Sequence, residues 1–178
     1  MAKVRMGMVG GGEGAFIGGI HRMAAAMDGE IELVCGAFSG DPERSARSGA
    51  MLYLEPERIY GDYRQMMSAE AALPADKRMQ FVAIVTPNDL HFPVAEAALG
   101  AGFHVLSDKP ATLSLAQALQ LRERVRDSGL LYGLTHTYTG YPLVKEARER
   151  ISRGELGKIR KVVVEYTQGW LADRQEDL

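Results

Sequence analysis

Residues 81–110, FVAIVTPNDLHFPVAEAALGAGFHVLSDKP, constrain the fold more than any other stretch of the chain. Phe81–Val85 is a short apolar run rich in β-branched residues, bounded by Thr86, Pro87 and Asn88. A strand buried on both faces has this pattern. Residues 92–99 carry Ala, Val and Leu, and Gly100 and Gly102 close the run, which predicts a helix with a glycine stop. Residues 103–106 form a second apolar run that ends in Ser107, Asp108, Lys109 and Pro110. Strand, helix and strand in so few residues predict two parallel strands with a right-handed crossover. The polar clusters TPNDLH and SDKP then fall at the carboxyl ends of neighbouring strands, the edge where open α/β sheets bind ligands.

The amino-terminal stretch VRMGMVGGGEGAFIGGIH adds a second motif. Residues 4–9 read as a strand, and Gly10, Gly11, Gly12 and Gly14 follow at once, then Gly18 and Gly19. Ile20, Met23, Ala24 and Met27 recur at helical spacing, which predicts a helix opening near Gly18. Strand, glycine turn and helix together give a glycine fingerprint its meaning, because a pyrophosphate must approach the amides at the helix N-terminus closely. Gly10 and Gly12 fit the first two positions of that fingerprint, and either Ala15 or Gly18 fits the third. The candidate phosphate-contacting residues are Gly10, Gly12, Gly14, Ala15, Phe16 and Ile17. His21 lies within the helix and reads as a structural residue.

TPNxxH after one strand and acid-Lys-Pro after the next, joined to a glycine-rich start, resemble the glucose–fructose oxidoreductase / inositol dehydrogenase / rhizopine-catabolism family of NAD(P)-dependent oxidoreductases. The resemblance spans nearly the whole chain but only the first part of a usual family member. It implies a Rossmann-type, doubly wound parallel α/β sheet, and hydride transfer between nicotinamide and a carbinol of a sugar, inositol or related polyol. It also implies that Thr86, Pro87 and Asn88 contact ribose or pyrophosphate, with His91 on the same edge; read from the residues alone, Asn88 also suits a helix cap. Asp108-Lys109-Pro110 departs slightly from the family's Glu-Lys-Pro. Lys109 is the catalytic candidate, an ammonium placed to stabilise a substrate alkoxide. Asp108 orients it, and the pattern implies a cis Lys-Pro bond. The family's acidic position after the second strand (residues 31–38) matches Ser39, which does not repel a 2′-phosphate, and Arg44 is able to pair with one. The cofactor expected is therefore NAD or NADP, leaning toward NADP or dual use. Asp41 and Pro42 read as an N-cap and first-turn proline, and mid-strand Cys35 as a core residue.

Residues 58–60 predict a short third strand, and Asp62 caps a helix over Tyr63–Ala72. Ser114 caps a further helix stopped by Gly129, and residues 130–135 make another strand. Pro142 opens a helix that Gly154 closes. Residues 158–168 alternate, Val162, Val164 and Tyr166 against Val163, Glu165 and Thr167, which predicts a half-buried strand of a different kind. The expected organisation is a dinucleotide-binding domain over 1–135. Residues 136–178 then hold a linking helix and the first strand of an antiparallel α+β substrate and oligomerisation domain whose remainder, with the family's acid/base histidine, has no counterpart in the chain.

Composition narrows the alternatives. A net charge of -2 lends no support to nucleic-acid or anionic-membrane binding, and one cysteine in 178 residues rules out a disulfide framework or cysteine-based metal site. A strand beginning almost at Met1 leaves no room for a signal peptide, so the cytoplasm is the expected location. The partners expected are a small sugar or polyol and, for a full-length form, further copies of itself. Two other functions remain open: a stand-alone nucleotide-binding module without catalysis, and an S-adenosylmethionine methyltransferase, which Asp108-Lys109-Pro110 counts against.

Overall fold

Five strands, all paired in parallel, make one sheet in the order β2-β1-β3-β4-β5. They are β1 (Val4–Gly10), β2 (Ile31–Ala37), β3 (Phe81–Val85), β4 (His104–Ser107) and β5 (Tyr132–Leu134). The helices are α1 (Phe16–Ala26), α2 (Pro42–Met51), α3 (Tyr63–Ala72), α4 (His91–Gly100), α5 (Leu115–Ser128) and α6 (Pro142–Ser152). The structure, a computed structural model, describes residues 2–167 and 169.

Local chemistry sets most helix boundaries. Asp41 accepts hydrogen bonds from the Glu43 and Arg44 amides, with Pro42 in the first turn of α2. Asp62 accepts from Arg64 and Gln65 at the start of α3, and Ser114 from Gln117 at the start of α5. Each satisfies amides that a helix N-terminus leaves without partners. Gly129 ends α5 in the left-handed conformation that glycine adopts without steric cost (φ 66°).

The sheet is covered on both faces, and β3 shows how. Val82 and Ile84 belong to one core cluster with Met66, Val94, Ala98 and Leu121 from α3, α4 and α5. Ala83 and Val85 belong to the other, with Met6, Met8, Phe38 and, from α1, Ile17 and Ala25. Alternate residues of one strand thus feed two cores, which explains why β3 is continuously apolar. The doubly wound α/β expectation stands.

The third strand expected at 58–60 is not formed. Pro56–Arg58 is a 3-10 turn, and only an isolated parallel bridge between Gly36 and Ile59 survives beyond β2. The side chains are committed to another partner. Arg58 and Tyr60 both turn to the fully buried Glu70 of α3: Arg58 donates through Nε at 2.7 Å and Nη2 at 2.8 Å, Tyr60 through its hydroxyl at 3.0 Å. The Met79 amide completes the set at 2.9 Å. The side chains are thus held by a buried carboxylate, while the main chain keeps the Tyr60 amide bond to the Gly36 carbonyl at 2.8 Å without extending into a strand ladder.

The chain divides into two compact units at His136/Thr137. In the second, a 3-10 turn (Thr137–Gly140) leads into α6, which carries the i,i+4 pairs Glu146–Arg150 and Glu149–Arg153, each at 2.8 Å. The strand expected over 158–168 is absent from the described residues. Residues 158–167 pair with no strand, and Val162, Val163, Val164 and Tyr166 are exposed. An alternating segment buries a face only when a neighbouring strand supplies the ladder. Gln168 and Trp170 lie outside the described residues.

Candidate cofactor site

The strand order reverses between β1 and β3, whose carboxyl ends meet at the Gly10–Val85 pair. Ligands of open α/β sheets bind at such a switch point. A cavity of about 430 Å³ opens there. Its walls bring together Gly10, Gly12, Ala15, Ser39, Arg44, Thr86 and Pro87 of the sequence-predicted residues. Gly14, Phe16, Ile17, Asn88, His91, Asp108 and Lys109 are not among its lining.

The glycine loop is shaped by what surrounds it. Gly10 has φ +81°, and a Cβ there would fall 2.8 Å from the Val85 carbonyl oxygen. A Cβ on Gly12 would fall 2.6 Å from Ser48 Oγ and 2.8 Å from the Phe38 carbonyl oxygen. Gly12 therefore clears space for the neighbouring chain as well as lining the cavity. The choice between Ala15 and Gly18 also resolves. Ala15 is the N-cap of α1, and Gly18 is the buried helix residue that packs on Gly11. The helix opens at Phe16, two residues before the expected start. Phe16 exposes its side chain and Ile17 packs into the core, so any phosphate contact from these residues uses their main-chain amides.

Sequence reasoning missed several residues that hold this loop. Arg22 of α1 donates to the Gly11 carbonyl at 2.8 Å. Ser48 accepts from the Glu13 amide at 2.9 Å and donates to the Arg44 carbonyl at 2.7 Å. Gly61, Asp62 and Tyr63 line the far wall of the cavity. Arg22 and Ser48 follow the ordinary polar pattern of a helix surface, so only their partners mark them.

The second polar cluster is built around His91. Its ring is 1% exposed and lies between two main-chain carbonyls, Nδ1 2.6 Å from Pro110 O and Nε2 3.0 Å from Thr86 O. The geometry gives His91 a bracing task between two loops in place of the ligand-facing position expected. Asn88 is exposed in a 3-10 turn whose cap position is Pro87, and no side chain caps that turn. The Asn88 cap is thus not formed. The Lys109–Pro110 bond is cis, as the motif implied. Asp108 Oδ1 accepts from the Lys109 amide and from Thr135 Oγ1, both at 2.8 Å. Lys109 itself is exposed and makes no ion pair among the described residues. The same carboxylate acts on His21 through its charge: burial lowers the His21 pKa, and the Asp108 charge pulls it back up. Burial also pushes the Cys35 thiol well up, as befits a core residue.

Three features fit a dinucleotide. The first turn of α1, which begins beside the cavity-lining Ala15, has neither a capping side chain nor an acidic residue, so no built-in counter-charge sits on its amides. The Thr86 hydroxyl oxygen, on the cavity wall, is buried without a hydrogen-bond partner. The loop main chain is as close to its surroundings as glycine permits.

Parallel sheet, switch-point cavity and glycine turn define the class of Rossmann dinucleotide-binding domains. Residues 4–136 match the model of the GFO/IDH/MocA oxidoreductases, described as an oxidoreductase family with an NAD-binding Rossmann fold, and the chain belongs to that family. It is 34% identical over 170 residues to the uncharacterized oxidoreductase YfiI of Bacillus subtilis, covering 95% of this chain and 43% of that protein. With the levoglucosan dehydrogenase of Pseudarthrobacter phenanthrenivorans it shares 28% identity over 180 residues, covering 100% and 44%. Among solved structures, an inositol dehydrogenase homologue from Azotobacter vinelandii, in complex with NADH and myo-inositol, superposes with a TM-score of 0.85 at 43% identity. That match covers 89% of this chain and 41% of the other. The chain spans less than half the length of these relatives.

Proposed function

We propose that this chain is the cofactor-binding half of an NAD(P)-dependent oxidoreductase that moves hydride between nicotinamide and a carbinol of a sugar, inositol or related polyol. One observation carries the reading: the glycine loop, Ser39 with Arg44, and Thr86 with Pro87 share one switch-point cavity. The substrate class rests on the relatives, whose names include levoglucosan and inositol. The dinucleotide would supply the hydride acceptor or donor. Gly10, Gly12, Gly14 and the amides of Phe16 and Ile17 would hold its pyrophosphate, with Ala15, whose amide donates to the Gly12 carbonyl at 3.0 Å, at the turn and Thr86, Pro87 and Asn88 beside it. Ser39 and Arg44 would receive the adenosine ribose, with or without a 2′-phosphate, which supports the lean toward NADP or dual use. Lys109 would stand on the substrate side and stabilise the alkoxide as hydride leaves, with Asp108 fixing its main chain. Residues 136–178 would begin a second domain that completes the substrate site and joins subunits, in a cytoplasmic enzyme. The present chain alone would bind cofactor and turn over little substrate.

Ala15→Asp tests the cofactor half of this reading. An aspartate at an N-cap that has no side-chain bond stabilises a helix by about 0.5–2 kcal/mol. It also sets a carboxylate on the amides meant for the pyrophosphate, which should weaken NADH and NADPH about tenfold or more. Higher melting temperature with lost binding, read by thermal denaturation and fluorescence titration, is the expected pair of results. Unimpaired binding by that variant would place the pyrophosphate elsewhere.

A further inference from the structure

The glycine loop that lines the cavity carries one acidic side chain, Glu13, and Glu13 lines the same cavity as Ser39 and Arg44. A carboxylate here is unexpected, since the ligand is an anion. Its surroundings give it a task. The Glu13 carbonyl accepts a hydrogen bond from Arg44 Nη2. Its amide donates to Ser48 Oγ at 2.9 Å, and its carboxylate pairs with Arg47 Nε at 3.5 Å. Arg44, Ser48 and Arg47 all belong to α2, so this one residue ties the glycine loop to the helix that carries the adenosine-side guanidinium.

We infer that Glu13 is a specificity-determining residue that holds down affinity for a dinucleotide bearing a 2′-phosphate. The inference rests on the cofactor reading above. Two effects act together. Arg44 is engaged on the Glu13 carbonyl and must leave it to reach a 2′-phosphate, a step that NAD(H) does not require. The Glu13 carboxylate, about half exposed and with its Arg47 partner also in solvent, adds a like charge to the wall that the phosphate approaches. An exposed pair is screened and weak, so Arg47 offsets only part of that repulsion. Ser39 and Arg44 thus admit a 2′-phosphate, and Glu13 opposes it.

The test is fluorescence titration of NADH and NADPH against the parent chain, Glu13→Gln, Arg44→Met, and Glu13→Gln with Arg44→Met, at low and high salt. Glutamine keeps the backbone and most of the side-chain volume and removes the charge. Expected is a gain of about two- to fivefold in NADPH affinity, the size of one solvated charge interaction, with NADH changed by less. The gain should shrink as salt rises and persist between Arg44→Met and the double variant, because the carboxylate acts on the phosphate directly whereas the Arg44 bond to the Glu13 main-chain carbonyl is untouched by glutamine. An unchanged ratio of the two dissociation constants, a parallel change in both, or a gain indifferent to salt would overturn the proposal. A parent chain that binds neither dinucleotide would instead refute the cofactor reading itself, an outcome distinct from a binding parent whose selectivity ignores Glu13.

Discussion

Gly11 and Gly18 are in main-chain contact: a Cβ on Gly18 would lie 2.4 Å from Gly11 Cα, and one on Gly11 would lie 2.8 Å from Gly18 Cα. Helix α1 therefore presses its backbone onto the turn that leaves β1, which places its N-terminus at the head of the cavity. Gly18→Ala should force the two backbones apart and lower stability by about 1–3 kcal/mol, the range for an overpacked core. Dinucleotide affinity should fall with it. Urea unfolding checks the first part, and a variant as stable as the parent would contradict the packing described.

Lys109 is exposed beside a carboxylate that already accepts two hydrogen bonds. In a full-length form, Lys109→Met should cut kcat by about 10²–10⁴-fold, the usual contribution of a positioned acid/base group. The dissociation constant for dinucleotide should stay close to that of the parent, because the lysine is not part of the cavity wall. Steady-state kinetics with cofactor titration separates the two, and undiminished turnover would end the assignment.

Glu70 is buried beneath two side-chain partners and a main-chain amide. Glu70→Ala leaves the Arg58 guanidinium, itself largely covered, without its counter-charge. Removing one member of a buried pair costs about 3–5 kcal/mol. Chemical denaturation should show that loss, with a smaller one for Glu70→Gln. A change within about 0.5 kcal/mol, as for an ordinary surface site, would be incompatible with the network.

His21 titrates below its ordinary value of 6.5 because burial outweighs the attraction of Asp108. A folded-state pKa below the unfolded one means that the unfolded chain binds more protons in the window beneath 6.5. The His21 contribution to stability is thus fully present above that value and declines as pH falls through the window. Asp108→Asn removes the upward pull, so the His21 midpoint should move further down. Imidazole titration by NMR reads this directly, and an upward move would show that the Asp108 charge does not act on His21.

Much of this arrangement was legible in the chain before any coordinates. The short, β-branched apolar run 81–85, bounded by Thr86 and Pro87, reads as a strand covered on both faces, and the caps Asp41, Asp62 and Ser114 announce helices through chemistry confined to a few neighbouring residues. Local interactions of that kind need no knowledge of the fold, so the order of elements and the sheet edge carrying TPNDLH and SDKP followed from them.

Tertiary structure decided what depends on distant partners. Residues 58–60 have the composition of a strand, but they keep only an isolated bridge to Gly36, while the Arg58 and Tyr60 side chains are fixed by Glu70, ten residues or more along the chain. The alternation at 158–167 marks a strand only where a neighbour supplies the ladder. His91 reads as a ligand-edge residue until Thr86 and Pro110 are seen on either side of its ring. Glu13 is an ordinary polar loop residue until α2 brings Arg44, Arg47 and Ser48 against it. Sequence specifies the groups able to bond and the local turns that carry them. Which groups meet is settled when packing brings together segments that are far apart in the chain.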